Sequence, residues 1–234
     1  MGISYARVAK CRLSAAKVAR WSQGRMSRQK ARRIGIYAGT FDPVHVGHIT
    51  FALQAIEEAK LDQVVFLPER VPRHKIGSEH YGHRVAMLKG ATAPHPNLAV
   101  LELTEKNFTI ARTWPHLQTI FEGTELSILV GTDVLAHMQQ WPAIGKLLSG
   151  CEIIVGTRAD DKPGMAELVV RSWPQAPKGL HIVRSYSPDV SSTNIRQAIG
   201  KRTHTQGLLA SVHRYAMANW LYVSIEHALN KTSR

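Results

Sequence analysis

Short apolar runs alternate along the chain with segments in which apolar residues recur every three or four positions. The runs are typical of strands buried on both faces, whereas the recurring positions are typical of amphipathic helices. The predicted strands are Ile34–Ala38, Gln63–Leu67, Leu98–Leu103, Glu125–Val130, Glu152–Val155 and Leu180–Val183. The predicted helices are Ile49–Ala59, Tyr81–Ala91, Thr113–Phe121, Val134–Met138, Ala143–Leu148, Met165–Trp173, Ser192–Gly200 and Val212–Leu229.

This alternation predicts an α/β fold, doubly wound, with a mainly parallel Rossmann-like sheet and helices on both faces. Ligands of such sheets bind beyond the carboxyl ends of the strands. The polar motifs described below each follow a predicted strand, so the sequence predicts one composite site at that edge. With 234 residues the chain is long enough for one such domain and a terminal extension.

The first strand runs into Gly39-Thr40-Phe41-Asp42-Pro43-Val44-His45-Val46-Gly47-His48, which precedes a predicted helix. A strand, a glycine-bearing turn and a helix start favour phosphate binding, because the amides there lack intrahelical partners and the helix dipole attracts anions. Gly39 and Gly47 would let the backbone approach a bulky ligand. His45 and His48 add hydrogen-bond donors. Alternatively, the two histidines cap the helix or belong to a zinc site, for which this spacing supplies no further ligands.

A second polar stretch, Val190-Ser191-Ser192-Thr193-Asn194-Ile195-Arg196, precedes the predicted helix at Ser192. Its hydroxyl groups could cap that helix, and a capping box is the alternative interpretation. A capping box would place Glu or Gln where this chain has the cationic Arg196. The combination of hydroxyls and a guanidinium is therefore also consistent with phosphate binding.

Both stretches resemble signatures of the H-x-G-H nucleotidyltransferases, and Phe41–His45 is most similar to the nicotinate/nicotinamide mononucleotide adenylyltransferases. Gly131–Leu135 is similar to that family's G-x-D-x-L and Pro72–Lys75 to its P-P-H-K. The resemblance covers roughly Arg33 to Tyr222. It implies transfer of an adenylyl group from ATP to nicotinate mononucleotide, giving deamido-NAD and pyrophosphate. Mg²⁺ would accompany ATP and bridge its phosphates.

The resemblance also implies roles for individual residues. His45, His48 and Arg196 would be catalytic, with His48 nearest the transferred phosphate. The residues implied in ATP binding are Gly39, Thr40, Phe41, Gly47, Asp133, Arg158, Ser191, Ser192 and Ile195. Those implied in acceptor binding are Lys75, Thr109 and Trp141.

Some of these roles have plain structural alternatives. Asp133 could be a simple helix N-cap, Lys75 a solvated loop charge, and Trp141 a core aromatic residue rather than a platform for the pyridine ring. Asn107–Arg112 stands where the family has S-Y-T-x-D-T, and it matches well only at Thr109 and Ile110. The preference between nicotinate and nicotinamide mononucleotide is therefore open.

Arg158 also departs from the family pattern, since Ala159 and Asp160 follow it in place of Pro-Gly. A pantetheine-phosphate adenylyltransferase is the nearest alternative enzyme, but such enzymes usually carry threonine in place of His45. A non-catalytic nucleotide- or RNA-binding protein is the alternative from another class. The intact catalytic residues argue against it.

The net charge of +13 is concentrated near the start of the sequence. Residues 1–33 contain ten of the 30 Lys and Arg residues and none of the 17 Asp and Glu residues. We therefore expect a basic leader at residues 1–32 and a nucleotidyltransferase domain at residues 33–230. The leader is interpreted as disordered or as an over-long start before Met26; a transit peptide and a nucleic-acid-binding arm are the alternatives. Nucleic acid is not an expected partner of the domain.

The two cysteines, Cys11 and Cys151, form no C-x-x-C pair and predict no disulfide framework. Cys151 opens an apolar run and is interpreted as a core thiol rather than a nucleophile. No apolar run reaches the ~18 residues of a membrane span. These features favour the cytoplasm, or an organelle if the leader is a transit peptide. The sequence does not indicate an oligomeric state.

Overall fold

A computed structural model describes residues 32–72, 77–157, 161–184 and 190–223. Within them the strands are β1 (Arg33–Gly39), β2 (Gln63–Pro68), β3 (Leu98–Val100), β4 (Glu125–Gly131), β5 (Glu152–Thr157) and β6 (Gly179–Arg184). The helices are α1 (Val46–Glu58), α2 (Tyr81–Thr92), α3 (Thr113–Ile120), α4 (Thr132–Met138), α5 (Ile144–Leu148), α6 (Met165–Arg171), α7 (Ser192–Lys201) and α8 (Ala210–Ala218).

The six strands form one parallel sheet in the order β3-β2-β1-β4-β5-β6. β1 lies at the centre, where Ile36 is in register with Val65 of β2 and Ile128 of β4. The chain moves outward from β1 to β3 and then returns to β4 on the other side of β1. This reversal opens a crevice at the carboxyl ends of β1 and β4, the usual ligand position in such sheets. The predicted fold class is confirmed.

Helices cover both faces of the sheet and bury its apolar side chains. α1, α2, α7 and α8 contribute to one core cluster, and α3 to α6 contribute to the other. Successive strand residues point to opposite faces, so Ile153 belongs to one cluster and Ile154 to the other. Because both faces are covered, the strands appear in the sequence as continuous apolar runs.

Cys151 lies directly before β5, and its side chain is completely buried. Burial raises the pKa of its thiol to about 12. A thiol that stays protonated and inaccessible is a poor nucleophile. The prediction of a core thiol is confirmed.

The predicted carboxyl-terminal ends of the strands and helices lie within two residues of the observed ones, except in two elements. The third strand ends at Val100 rather than Leu103. The closing helix, predicted over Val212–Leu229, is wrong in extent: α8 ends at Ala218, and residues 224–229 lie outside the described residues. Trp220 and Tyr222 then adopt left-handed backbone conformations, with φ values of 55° and 63°. These conformations do not continue a right-handed helix.

Arg33, the first residue of β1, links strands at the amino ends, the edge of the sheet opposite the crevice. The Arg33 guanidinium donates to the carbonyl of Ala59 at 2.7 Å and to the carboxylate of Glu152, and it lies 3.4 Å from a Glu125 oxygen. These contacts join the starts of β1, β4 and β5.

The longest helix in the described residues has 13 residues, fewer than the ~20 needed to cross a bilayer. None of the described helices is both long enough and apolar enough to span a membrane.

Candidate active site

The two motifs that lie furthest apart in the sequence are in direct contact at the carboxyl end of β1. The Ser192 hydroxyl donates to the Pro43 carbonyl at 2.9 Å. Arg196 Nη1 donates to the Asp42 carbonyl at 2.7 Å. The start of α7 is therefore bonded to the turn that connects β1 to α1. The structure brings together the two stretches that the sequence predicts to share one site.

The turn after β1 is shaped by a buried aromatic residue. Phe41 has a φ of 51°, and its ring packs against Tyr37 and Phe66 with centroid distances of 5.4 and 5.3 Å. A Cβ at Gly39 would lie 3.0 Å from the Phe41 ring. Gly39 therefore makes room for Phe41, a packing role that the sequence argument for ligand approach did not foresee. Thr40 and Phe41 are both buried, at 8% and 3% exposure.

His45 and His48 form a compact pair at the start of α1. His45 is the N-cap, and its backbone N–H donates to Nδ1 of His48 at 3.2 Å. The ring centroids lie 3.8 Å apart. Because Nδ1 of His48 accepts a hydrogen bond, a neutral His48 ring carries its proton on Nε2. The capping interpretation is therefore compatible with a role as a hydrogen-bond donor to phosphate.

Several backbone amides at the two helix starts are used within the protein. The Val46 N–H has no partner within its own helix, as expected, but it donates to the Gly207 carbonyl at 3.0 Å. At α7, the Ser191 side chain accepts from the Asn194 N–H at 3.1 Å, which confirms Ser191 as the N-cap. The Ile195 side chain is fully buried in the core, and its N–H donates to the Ser191 carbonyl. These three amides, of Val46, Asn194 and Ile195, are therefore engaged within the protein.

Arg196 is held by the turn and by its own helix. In addition to the Asp42 carbonyl, its guanidinium contacts the Thr193 hydroxyl at 3.1 Å. A guanidinium has five N–H donors, so these two contacts do not exhaust it. Both partners are uncharged oxygens, so the contacts orient the cation without cancelling its charge.

Arg84 on α2 is a site residue that the sequence analysis missed. It is 1% exposed, and its guanidinium donates to the backbone carbonyls of Thr40, Glu69, Arg70 and Glu79. Burial lowers the pKa of this guanidinium from its usual value. Arg84 joins the segments after β1 and β2 to the segment before α2. Its helical spacing from Leu88, on the buried face of α2, is the sequence signal that could have revealed it.

Asp42 is the buried carboxylate of the turn, and both of its oxygens are hydrogen-bonded. Oδ1 accepts from the Tyr222 hydroxyl at 2.7 Å, and Oδ2 accepts from the Glu79 N–H at 3.3 Å. Among the described residues no group of three or more His, Cys, Asp or Glu side chains could hold a metal ion. These residues therefore do not fit a divalent cation held by protein ligands alone.

Asp133, a predicted nucleotide contact, follows the carboxyl end of β4, the strand next to β1. α4 begins at Thr132 with Gly131 as its N-cap, so the interpretation of Asp133 as a plain N-cap is wrong. The Asp133 side chain is exposed, and a Cβ at Gly131 would lie 2.5 Å from its Oδ1. The Thr132 hydroxyl donates to Asp161 at 2.9 Å, which joins this helix start to the segment after β5.

The predicted acceptor residues form a second group around Phe108. Its N–H donates to Glu69 Oε1 at 3.1 Å, and its ring lies 6.1 Å from that of the half-buried Trp141. The Thr109 N–H donates to the Thr113 hydroxyl at 2.9 Å, so Thr109 also shapes the turn before α3. No described hydrogen bond joins Thr109 or Trp141 to the histidines of the turn. Lys75 and Arg158 lie outside the described residues.

Comparison with known proteins gives a consistent family. Residues 36–198 match the model of the family described as cytidylyltransferase-like. The chain is 30% identical over 201 residues to the nicotinate-nucleotide adenylyltransferase of Bacillus subtilis, with 82% of this chain and 100% of the relative covered. It is 32% identical over 202 residues to a Carboxydothermus hydrogenoformans protein named "Probable nicotinate-nucleotide adenylyltransferase", with 81% and 98% covered.

The fold also matches a solved structure. The nicotinic acid mononucleotide adenylyltransferase of Plasmodium falciparum, complexed with NaAD, superimposes with a TM-score of 0.68 at 15% identity. The match covers 82% of this chain and 97% of that protein. At this identity the likeness concerns the fold. The family match and the identity to whole relatives show that the chain belongs to the cytidylyltransferase-like family and, within it, to the nicotinate-nucleotide adenylyltransferases.

Proposed function

We propose that this chain transfers the adenylyl group of ATP to nicotinate mononucleotide, giving deamido-NAD and pyrophosphate. The observation that carries the proposal is the contact between the two motifs, in which Ser192 and Arg196 donate to the carbonyls of Pro43 and Asp42. That contact assembles imidazoles, hydroxyls and a guanidinium at the carboxyl end of β1. Membership in the nicotinate-nucleotide adenylyltransferases supports the same reaction.

The reaction requires an in-line exchange at phosphorus. A phosphate oxygen of the mononucleotide attacks the α-phosphorus of ATP, and the bond from that phosphorus to the β-phosphate oxygen breaks. Pyrophosphate leaves with the electron pair of the broken bond. Catalysis of such a step depends on positioning the two substrates and on stabilising charge on the phosphate oxygens.

His48 and Arg196 are the residues we assign to that charge. The bond from the His45 N–H fixes the His48 tautomer and places its ring proton on Nε2, the atom that we assign to a phosphate oxygen. Arg196 is oriented by Asp42 and Thr193 before any substrate binds, so little reorganisation is needed during the reaction. His45 completes the catalytic group.

The remaining predicted residues are proposed for substrate binding. Asp133, Ser191 and Ser192 would contact ATP, together with backbone groups of the turn at Gly39–Phe41. Thr109 and Trp141 would contact the acceptor. Lys75 and Arg158 keep the roles that the resemblance implies, since both lie outside the described residues.

Mg²⁺ is proposed to enter as a complex with ATP, because the described residues do not form a metal site of their own. Bound in this way, the cation would neutralise charge on the β- and γ-phosphates.

The proposal is tested with the purified full-length chain, ATP and Mg²⁺. Nicotinate mononucleotide, nicotinamide mononucleotide and pantetheine phosphate are supplied in separate reactions, and pyrophosphate release is followed. We expect the highest kcat/KM with nicotinate mononucleotide. Consumption of neither pyridine mononucleotide would refute the assignment, and turnover of pantetheine phosphate alone would favour that alternative enzyme.

The division of the chain is proposed in the same way, with a leader at residues 1–32, the catalytic domain at residues 33–230, and the cytoplasm as the compartment. N-terminal sequencing of the native protein tests the leader, because a mature start near Met26 would exclude a functional basic arm. Localisation of the full-length chain in cells tests the compartment.

A further inference from the structure

We propose that Tyr222 is a positioning residue for adenylyl transfer, and that it acts through Asp42 on the turn that carries His45 and His48. The inference rests on the proposed function. In the sequence, Tyr222 marks only the end of the family resemblance, which implies no chemical role for it.

The backbone after α8 brings Tyr222 back to the site. α8 ends at Ala218, and the Leu221 N–H donates to the Ala216 carbonyl at 3.0 Å. The left-handed conformations of Trp220 and Tyr222 then reverse the chain. If α8 instead continued beyond Ala218, Tyr222 would be part of the helix and would follow the direction of its axis.

The Tyr222 hydroxyl donates to Asp42 Oδ1 at 2.7 Å, across 180 positions of sequence. Burial, and then the bonded carboxylate, raise the pKa of the phenol. The hydroxyl therefore keeps its proton and acts as a donor. A hydrogen bond to a carboxylate is stronger than one between neutral groups, so this contact holds Asp42 firmly.

Glu79 closes a ring of contacts around the same carboxylate. The Tyr222 N–H donates to Glu79 Oε1 at 3.3 Å, and the Glu79 N–H donates to Asp42 Oδ2 at 3.3 Å. Arg84 Nε in turn donates to the Glu79 carbonyl at 3.0 Å. Tyr222 thus joins the turn after β1 to the segment that precedes α2.

The turn at Tyr222 also packs on the helix that carries the second motif. A Cβ at Gly200 of α7 would lie only 2.7 Å from the Tyr222 carbonyl oxygen. Asp42 is consequently held from two directions, by Tyr222 at its carboxylate and by Arg196 at its carbonyl. Removing the phenol oxygen would release one of these two restraints and leave the other in place.

Tyr222→Phe removes that oxygen and retains the ring. We expect kcat to fall about 10- to 100-fold, the value of a hydrogen bond to a charged group, with KM for ATP changed about twofold. Misplaced histidines would stabilise the charge on the phosphate oxygens less well, and mainly in the transition state. For this reason we expect kcat to fall more than KM rises.

Tyr215→Phe is the matched control, since it is the same change on α8. The Tyr215 hydroxyl contacts Nδ1 of His83 on α2 at 3.1 Å, rather than Asp42. We expect its kcat to stay within about twofold of the unmodified protein. Equal kinetics in the two variants, or kcat losses that simply follow equal losses in melting temperature, would overturn the inference.

Hydrogen exchange gives a readout that does not depend on turnover. In Tyr222→Phe, peptides covering residues 40–48 should exchange about tenfold faster, whereas peptides of β5 and the same peptides in Tyr215→Phe should not change. Unchanged exchange at residues 40–48 would overturn the inference, whatever the activity. An inactive unmodified protein would instead refute the proposed function, and the exchange data would still decide whether Tyr222 restrains the turn.

Discussion

The two ends of the sheet hold their arginines in different ways. At the amino ends of the strands, Arg33 contacts the carboxylates of Glu125 and Glu152. At the carboxyl ends, Arg84 and Arg196 donate to backbone carbonyls. Two further side chains also face these carboxylates: His181 Nε2 lies 3.3 Å from Glu152, and Lys178 Nζ lies 3.6 Å from Glu125.

The two ends therefore use their charged side chains differently. Those at the amino ends stabilise the fold, and those at the carboxyl ends include the cation that we assign to the substrate. Carboxylate partners cancel the charge of Arg33, whereas the carbonyl and hydroxyl partners of Arg196 orient its guanidinium and leave its net charge available. Arg84, in contrast, is buried and interacts with the charge of Asp42. The buried carboxylate of the catalytic end, Asp42, accepts from Tyr222 and Glu79 rather than from a guanidinium. The end that we assign to ATP can therefore attract a triphosphate.

Arg84→Met gives the largest expected effect, because it removes a buried cation and leaves four loop carbonyls without their donor. With each unsatisfied buried group costing ~1–3 kcal/mol, the free energy of unfolding should fall by about 4 kcal/mol. Urea denaturation measures this change. Arg33→Met at the other end is the control and should cost less, because Arg33 is more exposed. Equal losses of unfolding free energy in the two variants would show that an arginine bound by carbonyls and one bound by carboxylates contribute equally to stability.

His48→Ala should lower kcat about 100- to 1,000-fold, the usual effect of removing a donor to developing charge. The stability cost should stay near the ~1 kcal/mol of a lost helix cap. Steady-state pyrophosphate release and urea denaturation separate the two quantities. A change in stability alone would support the plain capping interpretation of this histidine.

Arg196→Met should lower kcat/KM for ATP about 100-fold, because it deletes a cation that the turn orients but does not neutralise. Arg196→Lys should restore part of this loss, since lysine returns the charge without the planar fork. Both variants are compared in the same ATP titration. If the Arg196→Lys and Arg196→Met variants were equally impaired, the net charge at the carboxyl ends of the strands would not be the decisive property.

Glu125→Gln should have the smallest effect. Its side chain is 47% exposed, and its ion pairs with Arg33 and Lys178 are long. We expect a stability loss below ~1 kcal/mol that diminishes in high salt, with unchanged kcat. Urea denaturation at low and high salt measures it. A clear fall in kcat would contradict the separation of the two ends.

The fold was predictable where local sequence determines it. Paired residues such as Ile153 and Ile154 face opposite clusters, so buried strands are visible as continuous apolar runs. The end of α8 was not predictable, because the contact of Tyr222 with Asp42 is a tertiary contact over 180 residues. The helical pattern of α8 contains no signal for that contact.

For the site, rare motifs predicted which stretches meet but not how each residue is used. Gly39 accommodates the Phe41 ring, and Ile195 is buried in the core. Arg84 resembles an ordinary helix arginine in sequence, since three of its carbonyl partners, Thr40, Glu69 and Arg70, lie 44, 15 and 14 positions away. The proposed substrate contacts of individual residues stay predictions.

The closure of an early turn by late residues has a consequence for synthesis of the protein. The turn at Asp42–His45 leaves the ribosome well before Ser192, Arg196 and Tyr222, the residues that bind it. A nascent chain can form β1 and α1 before the residues that close this turn have been made. On the proposed function, we therefore expect the ability to bind ATP to arise late in translation, after nearly the whole domain has emerged.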